Sequence, residues 1–208
     1  MDVITTIRRE RGKFYVTVNG DEKVVVPAPL FRERPLSEGE TIDLEEYDHW
    51  LMVRQYRAAL DRAVAFLASR ARSRREVEAR LLQAGYRPCT VEMVLYKLER
   101  EHLLDDGDFA RQWVEARAGR KLGKNRIARE LRDKGVSAEE AEAALTALDE
   151  DDQLDAAVQL AEKTLRRAKP GEPPAKTAQR VIAMLLRRGY GYDLARQALE
   201  KASASQEA

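Results

Sequence analysis

The sequence predicts a mainly α-helical protein, an elongated, curved tandem array of three three-helix repeats preceded by a small N-terminal antiparallel β-sheet. Three observations predict it. Apolar triplets Val77-Leu81-Gly85, Ile127-Leu131-Gly135 and Val181-Leu185-Gly189 recur at i, i+4, i+8. Each glycine is followed ten residues later by a leucine, at Leu95, Leu145 and Leu199. β-branched and aromatic runs are confined to the first fifty residues. Self-similarity of this kind marks a modular array in which each unit covers its neighbour.

At the N-terminus, Val3 to Ile7, Phe14 to Val18 and Lys23 to Val26 read as strands, separated by Arg11-Gly12 and Asn19-Gly20-Asp21. Asn-Gly between such runs is a hairpin signal, because a type I′ turn needs φ > 0 at both central residues. Pro27 and Pro29 stop the third strand, and Leu36 to Gly39 reads as a turn before a long helix that starts near Asp43 or Leu44. Three strands alone bury little, so this cap is expected to lean on the first helical unit.

Within that unit, Tyr56, Leu60, Val64 and Leu67 form an apolar stripe with Ala63 beside it. The second unit substitutes Phe109 and Trp113 with Val114, and the third uses Leu154, Val158, Ala161 and Leu165. The triplet helix comes next, closed by its glycine, which enters αL geometry without a Cβ penalty. An apolar residue (Tyr86, Val136 or Tyr190) then leads into a fresh helix start at Pro88 to Thr90, at the capping-box pattern Ser137-x-x-Glu140, or at Asp193. The glycines are spaced 50 and 54 residues apart, the extra length lying in the helix-breaking stretch Lys169 to Lys176. The expected boundaries are a β-rich cap at 1–50 and repeats at 51–101, 102–150 and 151–208.

Composition narrows the function classes. At 35% charged and 6% aromatic residues, the chain suits helices with wide solvated faces better than one thick core. The N-terminus lacks a basic region followed by an apolar one, and no run approaches the roughly 18 apolar residues of a membrane span, so a soluble, cytoplasmic and monomeric protein without a membrane partner is expected. A single cysteine, Cys89, allows no internal disulfide and no multi-cysteine metal site. His49 and His102 lack metal-ligand or triad spacing, and Gly119 to Gly123 lacks the Gly-Lys-Ser/Thr ending of a P-loop. Asp105-Asp106-Gly107-Asp108 reads as a helix start rather than a Ca²⁺ loop, and Gly119 to Gly123 as a flexible basic link. No catalysis, cofactor, metal or small-molecule substrate is expected.

Charge supplies the functional clue. Net charge is +1, yet from Arg54 to Arg87 nine arginines face three acids, from Arg117 to Lys134 eight basic residues face two, and from Lys163 to Arg188 eight face one. Glu139, Glu140, Glu142 and Asp149 to Asp152 make the third helix of the middle unit acidic. Each basic window could simply solubilise a helix face and complement its C-terminal dipole. Three windows at equivalent positions of stacked units instead line up into one basic strip, suited to phosphate backbones or an acidic protein groove.

The run Leu103-Leu104-Asp105-Asp106-Gly107-Asp108-Phe109-Ala110-Arg111-Gln112-Trp113-Val114-Glu115-Ala116-Arg117, followed by Gly123 to Val136, resembles the central signature of the RecX family, bacterial regulators of the RecA recombinase. Glu76 to Tyr86 and Ala183 to Tyr190 resemble that family's first and third repeats, so the likeness covers about residues 55–200. The first fifty residues resemble the N-terminal extension of longer members. The resemblance implies a non-enzymatic modulator that lies along a RecA filament on single-stranded DNA, with weak direct DNA contact. It would lower filament growth, strand exchange and ATP hydrolysis. Its pattern carries over onto Arg117, Lys121, Lys124, Arg126, Arg129 and Lys134, and by equivalence within this sequence onto Arg74, Arg75 and Arg80. Phe109, Trp113, Ile127 and Leu131 match the motif but are expected in the core. The insertion from Pro170 to Pro174 puts the third repeat's part in the strip in doubt. Two alternatives remain: a direct DNA-binding helical repeat, with Asn125 and Arg126 reading bases, and an adaptor scaffold for an acidic protein partner.

Overall fold

The structure, a computed structural model, describes residues 2–167 and 173–207. The chain forms two compact units that divide between Asp105 and Asp106.

In the first unit, β1 (Asp2–Glu10), β2 (Lys13–Val18), β3 (Glu22–Pro27) and β4 (Thr41–Ile42) make an antiparallel sheet in the order β3-β2-β1-β4. The expected turns are present: Arg11 and Gly12 have φ of 46° and 83°, and Asn19 and Gly20 have 52° and 87°. The Asn19 side chain also fastens the turn to the strand edge, accepting from the Val3 N–H at 2.9 Å and donating to Asp2 at 2.9 Å. Two short elements escape a periodicity reading, β4 and the helix α1 (Ala28–Glu33), because neither is long enough to show a period. Pro27 and Pro29 end β3 as expected, but they also flank the start of α1, where a missing N–H costs nothing.

Helix α2 (Leu44–Leu67) starts at Asp43, whose carboxylate accepts from the Glu46 N–H at 3.0 Å. Its N-terminal half supplies Tyr47 and Leu51 to the sheet core of Ile4, Val16, Val18 and Val26. Its C-terminal half packs Ala59 and Ala63 with Val77, Leu81, Val91, Leu95 and Leu98 from α3 (Arg74–Gln83) and α4 (Pro88–Arg100). One long helix therefore joins two cores, and the cap leans on the first helical triple.

The buried line of α2 is rotated from the expected stripe. Gln55, Ala59 and Ala63 are enclosed, whereas Tyr56 and Leu60 are half-buried and Val64 is 44% exposed. The same shift occurs in α8 (Glu150–Leu165), where Gln153, Ala157 and Ala161 take the inner line and Leu154, Val158 and Leu165 flank it. Small side chains let helix axes approach closely, and the larger ones then cover the flanks of the contact. A hydropathy reading weights the large residues and so places the stripe about one residue off.

The second unit holds α5 (Asp106–Ala118), α6 (Lys124–Asp133), α7 (Ala138–Leu145), α8, α9 (Pro174–Arg187) and α10 (Tyr192–Glu207). Helices α5 to α7 pack as one triple and α8 to α10 as another. Phe109, Ala110, Val114, Ile127, Leu131 and Leu145 are buried in the former; Ala157, Ala161, Val181, Leu185 and Ala198 are buried in the latter. Residues 169–172 of the expected helix-breaking stretch lie outside the described residues, and its end is helical: Pro174, Ala175 and Lys176 form the first turn of α9, where proline needs no N–H partner.

All three repeat glycines close a Schellman turn. Tyr86, Val136 and Tyr190 donate their N–H to Leu81, Leu131 and Leu185 at 3.3, 3.2 and 3.1 Å. Gly85, Gly135 and Gly189 take φ of 92°, 83° and 93°. The capping box at Ser137 and Glu140 is formed, and an unanticipated second one joins Ser73 to Glu76 at the start of α3.

Candidate partner-binding interface

The basic residues singled out from the sequence have different fates. Arg117, on α5, is committed internally: its Nε lies 2.5 Å from Glu130 on α6, and its guanidinium stacks 3.9 Å from the Trp113 ring. Trp113 is half-buried and donates from Nε1 to the same carboxylate at 3.2 Å. Burial works against the ionised form of Glu130, but hydrogen bonds from Arg117, Arg126 and Trp113 outweigh it and hold the pKa below the usual glutamate value. Lys134 also leans on this aromatic wall, 4.4 Å from the Trp113 ring. Arg117 and Lys134 thus join α5 to α6 rather than projecting freely.

Lys121 takes φ of 56° and hydrogen-bonds Gln159 of α8. The Gly119 to Gly123 segment is therefore not the flexible link expected from its glycines. The Gly123 N–H donates to Arg188 O at 2.9 Å, and the Asn125 N–H donates to Gly189 O at 3.1 Å. The first turn of α6 has unpaired donors and the last turn of α9 unpaired acceptors, so each end satisfies the other. Arg188 closes the joint by donating to Arg120 O at 3.2 Å. With the Gly123 and Asn125 N–H groups used in this way, the α6 N-terminus has two fewer donors to offer an anion.

The exposed cations on the next turn of α6 behave differently. Arg126 is exposed, 3.3 Å from Glu130 on one side and 3.4 Å from Arg187 O on the other. Arg129 is exposed and, among the described residues, in no ion pair. These two arginines share a groove of about 450 Å³ with Arg187, Leu186 and Tyr190 from the end of α9. Lys124 faces elsewhere, lining a cavity of about 900 Å³ with Asp149, Glu150, Asp151 and Asp193. The basic and acidic segregation read from the sequence is thus realised on two sides of α6, but Lys124 lies on the acidic side. Arg187 and Leu186 were absent from the sequence-based set. Their signals were the Arg187-Arg188 pair just ahead of Gly189, in the third basic window, and the likeness of Ala183 to Tyr190 to a family repeat.

In the first unit, Arg74 is held by three carboxylates, at 2.8 Å from Glu99, 2.5 Å from Glu92 and 4.0 Å from Glu78. It ties α3 to α4. Arg75 and Arg80 are exposed. Arg80 and Arg72 both lie over the Phe66 ring, at 5.6 and 3.9 Å. A further pair that the sequence did not single out, Arg87 with Asp48, joins the start of α4 to α2, and the Arg87 hydrogen bond draws the Asp48 carboxyl below its ordinary pKa. Among the described residues, no cluster of His, Cys, Asp and Glu is arranged to hold a metal, and no helix is long and apolar enough to cross a membrane. Cys89 is exposed near the start of α4.

Comparison with known proteins follows the repeat pattern. Family models described as the first, second and third three-helix domains of RecX match residues 59–98, 105–145 and 150–199. A protein named Regulatory protein RecX from Mycolicibacterium vanbaalenii is 42% identical over 137 residues, covering 62% of this chain and 73% of that protein. One of the same name from Mycobacteroides abscessus is 42% identical over 143 residues, covering 67% and 69%. A crystal structure described as regulatory protein RecX superposes with a TM-score of 0.68 at 22% identity, over 96% of this chain and all of that one. RecX from Lactobacillus salivarius gives a TM-score of 0.68 at 23% identity, over 73% of this chain and 99% of that one. At those identities the superpositions speak for the fold alone.

Proposed function

The chain belongs to the RecX family of regulatory proteins, and from that premise we propose that it is a non-enzymatic cytoplasmic modulator that binds RecA filaments on single-stranded DNA. Binding would restrain filament growth, ATP hydrolysis and strand exchange. In this reading the cap ends near residue 50, the repeats begin near 51, 102 and 151, and a monomer spans neighbouring filament subunits. The observation that carries it is the division of labour on α6: Ile127 and Leu131 are fully enclosed, while Arg126 and Arg129 stand exposed beside Arg187 from the following repeat. An array that presents cations from consecutive repeats can make several modest contacts along one filament, and contacts in series raise avidity beyond that of any single repeat. Arg75 and Arg80, exposed on α3, are the contacts proposed for the first repeat taken by itself, and Lys124 is the weakest member of the α6 set. Arg117, Lys121, Lys134 and Arg74 support the surface by positioning its helices.

The test is inhibition of RecA's DNA-dependent ATP hydrolysis by the full-length protein. Reversing Arg126 and Arg129 to Glu should leave the circular dichroism unchanged and weaken inhibition by at least about tenfold, since like-charge juxtaposition at an interface costs more than a lost contact. Raising salt should weaken the wild type as well. Undiminished inhibition by the double variant would overturn this surface. Tight, sequence-selective binding to duplex DNA without recombinase would replace the reading with direct DNA recognition.

A further inference from the structure

The groove between α6 and α9 has a chemistry that goes beyond a basic strip. Resting on the reading above, we propose that it takes an acidic polypeptide segment of the partner, one with an apolar side chain set between carboxylates, and not the nucleic-acid backbone. The rim carries Arg126, Arg129 and Arg187, all exposed, with Arg129 and Arg187 in no ion pair among the described residues. Guanidinium groups grip carboxylates and phosphates equally well by paired N–H donors, so the arginines alone do not choose. Two other features do. Leu186 is 43% exposed within the groove, where an aliphatic side chain of a peptide can cover it between the arginines, whereas a nucleic acid gripped by its phosphates would have to turn a base inward to do so. Asp133 and Glu130 also line the groove, and Glu130 is kept ionised by its three partners. A strand of nucleic acid carries a charge about every 3.4 Å and has no means of skipping a carboxylate. A peptide can place its acids opposite the arginines and present neutral residues opposite Asp133. Tyr190, lining the same groove, has a buried hydroxyl without a hydrogen-bond partner, whose pKa burial raises against the opposing field of Arg188.

The groove exists only where two repeats meet. Arg126 donates to Arg187 O, and the backbone of α6 rests on the Gly189 turn. The backbone positions that carry its arginines are therefore set before any partner arrives, which lowers the ordering cost of binding.

The experiment titrates the full-length protein, monitored by fluorescence anisotropy, against a short labelled peptide in which leucines are flanked by aspartates. The same peptide with asparagine for each aspartate and an oligothymidylate of similar charge are the controls. The aspartate peptide should bind, the asparagine peptide should bind at least about tenfold more weakly, a step of roughly 1.4 kcal/mol, and Arg187→Glu should abolish the difference. Leu186→Ser should weaken the peptide several-fold and leave any oligothymidylate binding unaltered. The proposal is overturned if Leu186→Ser and Arg187→Glu leave peptide binding intact, or if only the oligothymidylate binds and both variants lower it. The broader reading fails separately, if the wild-type protein does not inhibit RecA at all. Inhibition that survives both Leu186→Ser and Arg187→Glu would keep the function and remove the acidic segment from this groove.

Discussion

The glycine turns of the first and third repeats are built from one sequence device but rest on different things. Gly85 closes α3, and a methyl group added there would lie 3.1 to 3.3 Å from the side chains of Lys13 and Val25 in the sheet. Gly189 closes α9, where an added methyl would run into the backbone N of Arg126, with its Cα at 2.9 Å. The receiving residue on α6 is equally constrained: a Cβ on Gly123 would collide with the backbone of Gly189 and Tyr190. The Lys13 Cδ and Val25 Cγ1 atoms can rotate away and the Lys13 Cβ at 3.2 Å need give only a few tenths of an ångström, whereas the backbone of α6 would have to move much further. The first unit therefore uses glycine for its positive φ alone, while the second uses it also to bring two main chains into hydrogen-bonding contact. That difference decides where the arginines stand, because the contact seats Arg126 beside Arg187.

Replacing Gly189 by Ala should show the largest effect. The left-handed conformation costs a non-glycine residue about 1–2 kcal/mol, and overpacking against backbone adds about 1–3 kcal/mol. Urea unfolding of the full chain should register the sum as a lowered midpoint, together with loss of the proposed inhibition of RecA. Gly85→Ala carries the conformational penalty of about 1–2 kcal/mol alone, since Lys13 and Val25 can give way. Equal losses at the two positions would break the contrast between side-chain and main-chain receivers.

The helix starts sharpen the comparison at a smaller scale. Ser73 and Ser137 both close capping boxes, but Ser73 is fully buried while Ser137 is exposed. Ser73→Ala should cost about 1–2 kcal/mol and Ser137→Ala about 0.5–1 kcal/mol in thermal unfolding, because water can replace the lost cap only at the exposed site.

Acid titration gives the smallest expected change. Glu130 has a folded-state pKa below its unfolded value, so its contribution is complete above the ordinary glutamate range, near about 4.3. It is lost as pH falls through the lowered folded value. Stability measured from pH 6 downward should decline less steeply in Glu130→Gln than in the wild type. Identical slopes would remove Glu130 from the acid response.

Much of this protein was legible in its sequence. The repeat glycines, the Ser137 box, the helix start at Asp43 and the two β-turns rest on local rules, in which neighbouring residues fix φ, caps or turn type. The family signature likewise lies in contiguous residues. The site was legible only as an excess of charge. Arg117, Lys134 and Arg74 resemble Arg126 and Arg129 in a one-dimensional reading, yet the first three face Glu130, Trp113 and Glu99 across helix boundaries.

What the sequence determined by itself was therefore the set of elements, their repetition and the identity of the buried leucines, because these follow from periodicities shorter than a helix. Only the tertiary structure decided which cations are consumed by internal partners, which line of α2 and α8 faces inward, and that α6 begins on the end of α9. Those outcomes depend on contacts between residues as far apart as Gly123 and Gly189, and no local pattern records the close approach of two backbones.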